Sequence, residues 1–130
     1  MTAPHTVTLF GHSRAPEGGP LFLLAERLGE LISRAGWRIA NGGYGGTMLA
    51  SARAAKTAGG QTIGVTCRVF RRSEPNPYIT DEISTADLEE RLRKLIDLGD
   101  AYVILEGGTG TLLELADVWE HKNKAFANAE

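Results

Sequence analysis

The feature that most constrains the fold is the stretch AYVILEGGTGTLLELADVWE, residues 101–120, in which an apolar run meets glycines and threonines before a helical pattern begins. The run from Ala101 to Leu105 has five consecutive apolar residues and ends at the glycines. An uninterrupted run of this kind is typical of a strand buried on both faces, as in a parallel sheet with helices on both sides. The stretch therefore predicts a strand–turn–helix unit of an α/β protein.

Three further units of the same kind precede this stretch. Strands are predicted at Thr6 to Phe10, in WRIANGG and in QTIGVTC, and helices from Pro20 to Gly36, from Gly46 or Thr47 to about Ala58, and from about Thr85 to Leu98. Residues 68–84 contain prolines and mixed charge without a period, and we expect them to form the longest loop. The alternation predicts a Rossmann-like three-layer sandwich with a mostly parallel, four-stranded sheet, shortened at the C-terminus, in one domain over 1–130.

Composition and charge exclude several classes of function. The net charge of −2 provides no broad positive field for nucleic acid, so we expect no nucleic-acid partner. The lone Cys67 excludes an internal disulfide and is expected to be a core residue. No apolar stretch reaches the ~20 residues that cross a bilayer, and the start MTAPHTVTLFGH lacks the pattern of a signal peptide. We therefore expect a cytoplasmic protein without a membrane partner. The three histidines have no ligand spacing, so neither a metal nor a cofactor is predicted.

Glycine clusters end the second and the last predicted strand. They are NGGYGG, residues 41–46, and EGGTGT, residues 106–111. The carboxyl ends of parallel strands meet at one edge of the sheet, and the helix that begins there presents free N–H groups to an anion. Neither cluster fits GxGxxG, and no GxxxxGK[ST] occurs, which excludes the dehydrogenase and P-loop interpretations. The glycines could simply form tight turns, but two clusters at one edge favour a phosphorylated ligand. The predicted binding residues, with Gly11 at the end of the first strand, are Gly11, Gly42, Gly43, Gly45, Gly46, Thr47, Gly107, Gly108, Thr109, Gly110 and Thr111.

Two charged residues are candidates for chemistry beside these clusters. Arg91 lies in the apolar stripe of the third predicted helix, where its charge needs a carboxylate or phosphate nearby unless it extends to the edge of the stripe. Glu114 follows Thr111 by three residues, which is also the spacing of a capping box. The helix that contains Glu114 is expected to pack through another set of residues, so that Glu114 points away from the packing face. That set is Leu112, Leu115, Ala116 and Trp119.

The motif GGTGTLLE, residues 107–114, resembles the GGxGTxxE signature of the LOG (Lonely Guy) family, whose members are often mislabelled lysine decarboxylases. NGGYGGTM and Arg91, nine residues before DAYVILEGG, extend the resemblance over nearly the whole chain. The resemblance implies a Rossmann-like homodimer that acts as a cytokinin riboside 5′-monophosphate phosphoribohydrolase and releases an adenine-type base from AMP-like nucleotides. It also implies that Arg91 and Glu114 are the catalytic pair and that the glycine cluster from Gly107 to Thr111 binds phosphate.

The resemblance leaves a second function open. Glu106 and Leu92 stand where the family commonly has proline and lysine, and its usual final strand and helix have no counterpart in the sequence. A negative charge beside a phosphate loop weakens the case for catalysis more than the case for nucleotide binding. The alternative is a non-catalytic protein that binds or carries a phosphorylated ligand, as relatives that resemble molybdenum-cofactor carrier proteins do.

Overall fold

The computed structural model describes residues 5–70, 74–107, 113–120 and 122. Within these residues the elements follow one another as β1 (Thr6–Phe10), α1 (Pro20–Arg34), β2 (Arg38–Asn41), α2 (Thr47–Thr57), β3 (Thr62–Cys67), β4 (Asp81–Thr85), α3 (Leu88–Leu98) and β5 (Ala101–Ile104). Residues 113–120 are also helical and are called the C-terminal helical segment below.

The strands form one parallel sheet in the order β4-β3-β2-β1-β5. Thr8 of β1 lies between Ala40 of β2 and Tyr102 of β5. The strands β2, β3 and β4 therefore lie on one side of β1, and β5 lies on the other side. In open α/β sheets, ligands bind outside the carboxyl ends of the strands where the strand order reverses in this way. The reversal places the end of β1 between the two glycine clusters, which follow β2 and β5.

Apolar residues cover both faces of the sheet and form a separate cluster on each. Phe22 and Ala25 of α1 and Ala50 and Ala55 of α2 pack on one face. Leu95 and Ile96 of α3 and Val118 of the C-terminal helical segment pack on the other face, against strand residues that include Val65. The predicted three-layer Rossmann-like class is therefore confirmed, as is the burial of Cys67.

The predicted four-stranded sheet is wrong, because the structure places a fifth strand within the predicted loop. β4 pairs with β3 over five positions, from Ile63 opposite Asp81 to Cys67 opposite Thr85. The sequence DEIST lacks an apolar run because β4 lies at the edge of the sheet, where Asp81, Glu82 and Ser84 are exposed. Edge strands can carry charged residues at positions that a central strand would bury.

The third helix begins later than the sequence predicts. Thr85 is the last residue of β4, and its carbonyl accepts from the N–H of Arg68. Asp87 then caps α3, since its carboxylate accepts from the N–H of Glu90 at 2.8 Å. Arg91 lies in the first turn of α3, and its side chain reaches the carboxyl edge of the sheet.

Candidate functional site

The guanidinium of Arg91 is bound at the carboxyl ends of β2 and β3 by backbone carbonyls. Its Nε donates to Val65 O at 2.8 Å, and one terminal nitrogen, Nη2, donates to Gly42 O at 3.0 Å. Nη2 also lies 3.7 Å from Sδ of Met48. Arg91 therefore joins α3 to β3 and to the first glycine cluster. The alternative in which it merely extends to the edge of the apolar stripe is wrong.

Two aromatic rings that contact each other lie beside the same guanidinium. Its central carbon lies 5.4 Å from the centroid of Tyr44 and 5.7 Å from that of Phe70. The negative face of an aromatic ring attracts a cation, most strongly where water is excluded. Burial lowers the pKa of Arg91, and the negative charge of Glu114 opposes that shift. Arginine stays protonated under such a shift, so the site has a fixed positive charge.

The hydrogen bonds described above use Nε and Nη2 of Arg91 but not its other terminal nitrogen, Nη1. An arginine has five N–H donors, of which Nη1 holds two. Within the part of the chain that the structure describes, no acceptor takes a hydrogen bond from Nη1. The backbone carbonyls of Val65 and Gly42 thus fix the side chain through Nε and Nη2.

Glu114 is half-buried on the C-terminal helical segment and interacts electrostatically with Arg91. Burial raises the pKa of Glu114 to about 7, and the positive charge of Arg91 opposes part of that rise. Among the described residues no ion pair within 4.0 Å joins the two side chains, so their interaction acts over a longer distance. A glutamate with this pKa populates both protonation states near neutral pH, as general acid–base catalysis requires.

The predicted packing face of the helix that contains Glu114 is wrong. Trp119 is 64% exposed and Leu115 is 38% exposed, whereas Val118 is only 5% exposed. Glu114 and Val118, one helical turn apart, face the protein, and Ala116 is exposed with Leu115 and Trp119. The prediction assumed that the most apolar face packs on the chain's own core. Leu112 lies outside the described residues.

The first glycine cluster contacts Arg91 through Gly42 and the loop after β1 through Gly45 and Gly46. A methyl group at Gly42 would overlap Nη2 of Arg91, so only glycine allows the guanidinium to reach the carbonyl there. Gly46 has φ +60 and lies against the carbonyl of His12, which a side chain would displace. Gly45 lies beside Ser13 O.

The remaining predicted residues of this region are close together. Thr47 donates both its backbone N–H, at 3.0 Å, and its hydroxyl, at 3.5 Å, to His12 O. Gly11 packs against the side chain of Thr47, and Gly43 accepts a backbone hydrogen bond from Asn76. The structure therefore brings together the predicted residues that follow β1 and β2.

The second glycine cluster lies largely outside the described residues. Gly107 is exposed after β5, whereas Gly108, Thr109, Gly110 and Thr111 are not described. The end of β5 is next to the end of β1, since Ile104 pairs with Phe10. The start of the second cluster is thus adjacent to Gly11.

Several residues that shape the site were missed by the sequence analysis. The hydroxyl of Tyr44 accepts from the N–H of Cys67 at 2.9 Å and donates to its carbonyl at 3.1 Å. The amide of Asn76 donates to Tyr44 O at 2.9 Å. Tyr44 could have been noticed as the aromatic residue inside NGGYGG, but Asn76, in an irregular segment, has no sequence signal. The missed residues are Tyr44, Met48, Phe70 and Asn76.

The described residues contain neither a helix that could span a membrane nor a metal-binding cluster. None of the helices among them combines the length and the apolar character that crossing a bilayer requires. The same residues contain no group of three or more His, Cys, Asp or Glu side chains placed to hold a metal ion.

Curated relatives match most of this chain but are longer. A Mycobacterium tuberculosis protein named cytokinin riboside 5′-monophosphate phosphoribohydrolase is 35% identical over 121 residues, which are 92% of this chain and 64% of that protein. A protein of the same name from Rhodococcoides fascians is 32% identical over 123 residues, 91% of this chain and 62% of that protein. The chain thus spans less than two thirds of the length of these relatives.

Solved structures share the fold. The molybdenum cofactor binding protein from Rippkaea orientalis has a TM-score of 0.79 and 26% identity, covering 94% of this chain and 74% of that one. The Moco carrier protein from Chlamydomonas reinhardtii has a TM-score of 0.74 and 25% identity, covering 92% of this chain and 73% of that one.

The model of the SLOG cluster4 family matches residues 4–127, a range that contains both glycine clusters, Arg91 and Glu114. The resemblance to the LOG family that the motif GGTGTLLE predicts is confirmed by this match and by the names of the relatives. The parallel sheet and the position of Arg91 at its carboxyl edge agree with these matches. The chain belongs to the SLOG cluster4 family.

Proposed function

We propose that this chain hydrolyses the N-glycosidic bond of AMP-like nucleoside 5′-monophosphates, including cytokinin riboside 5′-monophosphates, to a free base and ribose 5-phosphate. The observation that carries the proposal is the pair formed by Glu114, whose pKa burial raises to about 7, and Arg91, which two backbone carbonyls fix at the carboxyl edge of the sheet. The relatives from Mycobacterium tuberculosis and Rhodococcoides fascians, which are named for this reaction, support the proposal.

The chemistry needs a carboxylate beside the anomeric carbon. Water adds to that carbon while the bond to the base nitrogen breaks and its electron pair leaves with the base, through a state with oxocarbenium character. Glu114 as carboxylate stabilises the developing positive charge and accepts a proton from the attacking water. Glu114 then releases this proton and returns to its carboxylate form, and the departing base takes up one proton. The reaction consumes one water in total. A pKa near neutrality suits a group that must gain and lose a proton in each turnover.

Arg91 binds and orients in this mechanism, because a guanidinium does not release its proton. Its Nη1 group donates to the nucleotide, while Nε and Nη2 hold the side chain in place and its charge acts on Glu114 through space. The phosphate binds at the strand-order reversal beside the ends of β1, β2 and β5, where helix N-termini and glycines let backbone N–H groups approach an anion. The proposed binding residues are Gly11, Gly42, Gly43, Gly45, Gly46, Thr47, Gly107, Gly108, Thr109, Gly110 and Thr111.

A carrier function is the second candidate. It is favoured by the similarity to solved molybdenum cofactor binding and carrier proteins and by Glu106, whose negative charge follows β5 beside the proposed phosphate loop. Such a protein would hold a phosphorylated ligand without cleaving it. The two functions share the binding residues and differ in whether Glu114 takes part in bond cleavage.

The proposed partner is a second copy of the chain. Leu113, Leu115 and Trp119 expose apolar surface on the C-terminal helical segment, and Leu88 of α3 is also exposed. Several exposed large apolar side chains on one short helical segment favour an interaction site there. Because Glu114 lies on the same helical segment, an interface there would also order the catalytic side chain.

Substitution of Glu114 by glutamine is expected to abolish hydrolysis while nucleotide binding persists. Glutamine keeps the shape but removes the charge and the proton acceptor, so kcat should fall by about 10²–10⁴-fold, the usual contribution of general acid–base catalysis. Free base and ribose 5-phosphate are measured by chromatography after incubation with AMP and with N6-isopentenyl-AMP. Glu89→Gln, an exposed glutamate of α3, is the matched control and should behave like the wild type. If the wild type binds AMP but releases no base or ribose 5-phosphate, the proposed hydrolysis is contradicted and the carrier function remains.

The pH dependence of kcat is expected to follow the ionisation of Glu114. Since the carboxylate is the active form and burial raises its pKa to about 7, kcat should be low at acidic pH, rise through about 7 and level off above it. The measurement is a pH series of initial rates at saturating AMP. A kcat that instead decreases as pH rises through the same range would show that the protonated carboxyl is the reactive form.

The proposed dimer is expected to dissociate in the variant Trp119→Glu, because the new charge would have to be buried in an apolar interface. Sedimentation equilibrium measures the mass of the wild type and of the variant. The matched control is Leu24→Glu, which places the same charge at a half-exposed leucine of α1 and should remain dimeric. A monomeric wild type, or a Trp119→Glu variant that stays dimeric, would contradict the proposed interface.

A further inference from the structure

Two kinds of contact hold the guanidinium of Arg91. Hydrogen-bond acceptors lie in the plane of the guanidinium, and the rings of Tyr44 and Phe70 lie beside it. The two carbonyl acceptors and the sulfur of Met48 lie along the edge of the guanidinium formed by Nε and Nη2. The rings of Tyr44 and Phe70 meet each other edge to face, with centroids 5.5 Å apart and planes at 88°. Rotation of the arginine side chain away from the sheet would require this aromatic pair to move.

Tyr44 is fixed to the end of β3 by its hydroxyl. That hydroxyl both accepts from the N–H and donates to the carbonyl of Cys67, the last residue of the strand. Val65, which accepts from Arg91, lies two residues earlier on the same strand. The ring and the guanidinium therefore share one rigid support, so the distance between them changes little when neighbouring loops move.

The backbone of Tyr44 is fixed as well. The side-chain amide of Asn76 donates to Tyr44 O at 2.9 Å, and the N–H of Asn76 donates to Gly43 O at 2.8 Å. Asn76 is 8% exposed, so these bonds are shielded from water. Both the side chain and the backbone of Tyr44 are therefore fixed by hydrogen bonds. A tight turn alone would not require this.

We propose that Tyr44 is a positioning residue, which holds the guanidinium of Arg91 so that Nη1 points toward Glu114 and the nucleotide. The inference rests on the proposed hydrolysis, for which Arg91 and Glu114 must keep a fixed relation. Arginine has a long and flexible side chain, and a displacement of about 1 Å in a catalytic group can reduce the rate by about 100-fold. Tyr44 does not contact the reacting atoms in this role and acts through Arg91.

The test compares Tyr44→Leu, which removes the ring, with Tyr44→Phe, which keeps the ring and removes its tether. Tyr44→Leu is expected to lower kcat by about 100-fold with KM for AMP nearly unchanged, since the lost contact serves the reaction more than the binding of substrate. Tyr44→Phe should retain an intermediate kcat. Tyr78→Leu makes the same chemical change at a half-buried tyrosine and is the matched control. Only the backbone N–H of Tyr78 bonds Asn76, at Oδ1, and leucine keeps that bond.

A second readout does not depend on turnover. The Nε–H of Arg91, identified by its absence from the NMR spectrum of Arg91→Lys, should exchange slowly with solvent in the wild type because it is bonded to Val65 O. Exchange should quicken in Tyr44→Leu and change less in Tyr44→Phe. Should Tyr44→Leu fail to fold, Tyr44→Met, which fills more space but has no ring, is compared in its place.

The outcomes separate this inference from the proposed function. A wild type that does not cleave nucleotides sinks the proposed function, and the exchange rates alone then decide the role of Tyr44. A wild type that does cleave, with Tyr44→Leu matching Tyr78→Leu in kcat and in exchange, overturns the inference and leaves the function standing. Equal losses in Tyr44→Phe and Tyr44→Leu would also overturn it, because the ring would then contribute nothing beyond the hydroxyl.

Discussion

The hydrogen bonds from Arg91 to the carbonyls of Val65 and Gly42 are the interaction on which the rest of the site depends. They join a helix to two strand ends that are 26 and 49 residues away in sequence. A hydrogen bond from a charged donor contributes about 1.5–3 kcal/mol, whereas a cation–π contact contributes about 0.5–2 kcal/mol. The carbonyls therefore contribute most to holding the guanidinium, and the rings of Tyr44 and Phe70 limit its direction. Glycine at position 42 follows from the same bonds, since no side chain fits there.

The raised pKa of Glu114 sets folding stability against the proposed chemistry. Burial raises the pKa of Glu114 to about 7, which means that the folded protein binds this proton more tightly than the unfolded chain does. Ionising Glu114 between the ordinary pKa of a glutamate and about 7 therefore costs folding stability, and stability from this group falls as pH rises through that window. The positive charge of Arg91 reduces this cost. A half-buried carboxyl group that destabilises the fold when ionised is more readily explained by chemistry than by packing.

Much of the architecture could be predicted from local patterns, and the failures have physical causes. The strands now labelled β1, β2, β3 and β5, and the helices α1 and α2, follow from apolar runs and from glycine and proline at their ends. β4 could not be predicted in this way, because its polar residues are tolerated only by its position at the sheet edge. The packing face of residues 113–120 could not be predicted, since periodicity identifies an apolar face but not whether the chain itself covers it.

The candidate site was predicted in part. An arginine within an apolar stripe and a glutamate after a glycine cluster pointed to Arg91 and Glu114, but the acceptors of Arg91 are backbone atoms that have no sequence signal. Tyr44 and Asn76 act through contacts between segments that are far apart in sequence, and only the folded chain brings these together. The residues of the second cluster from Gly108 to Thr111 remain a prediction, because they lie outside the described residues.

The claim that Arg91 acts on Glu114 is tested most directly by titrating the Glu114 carboxyl carbon by NMR in the wild type and in Arg91→Met. The side chain of methionine is uncharged and unbranched and reaches about as far as Nε of arginine, so it removes the positive charge and keeps the apolar part of the side chain. The expected wild-type pKa is about 7, with a higher value in Arg91→Met because the opposing charge is gone. A wild-type value near the ordinary glutamate pKa of about 4.3, or the same value in both proteins, would contradict the coupling of Arg91 to Glu114.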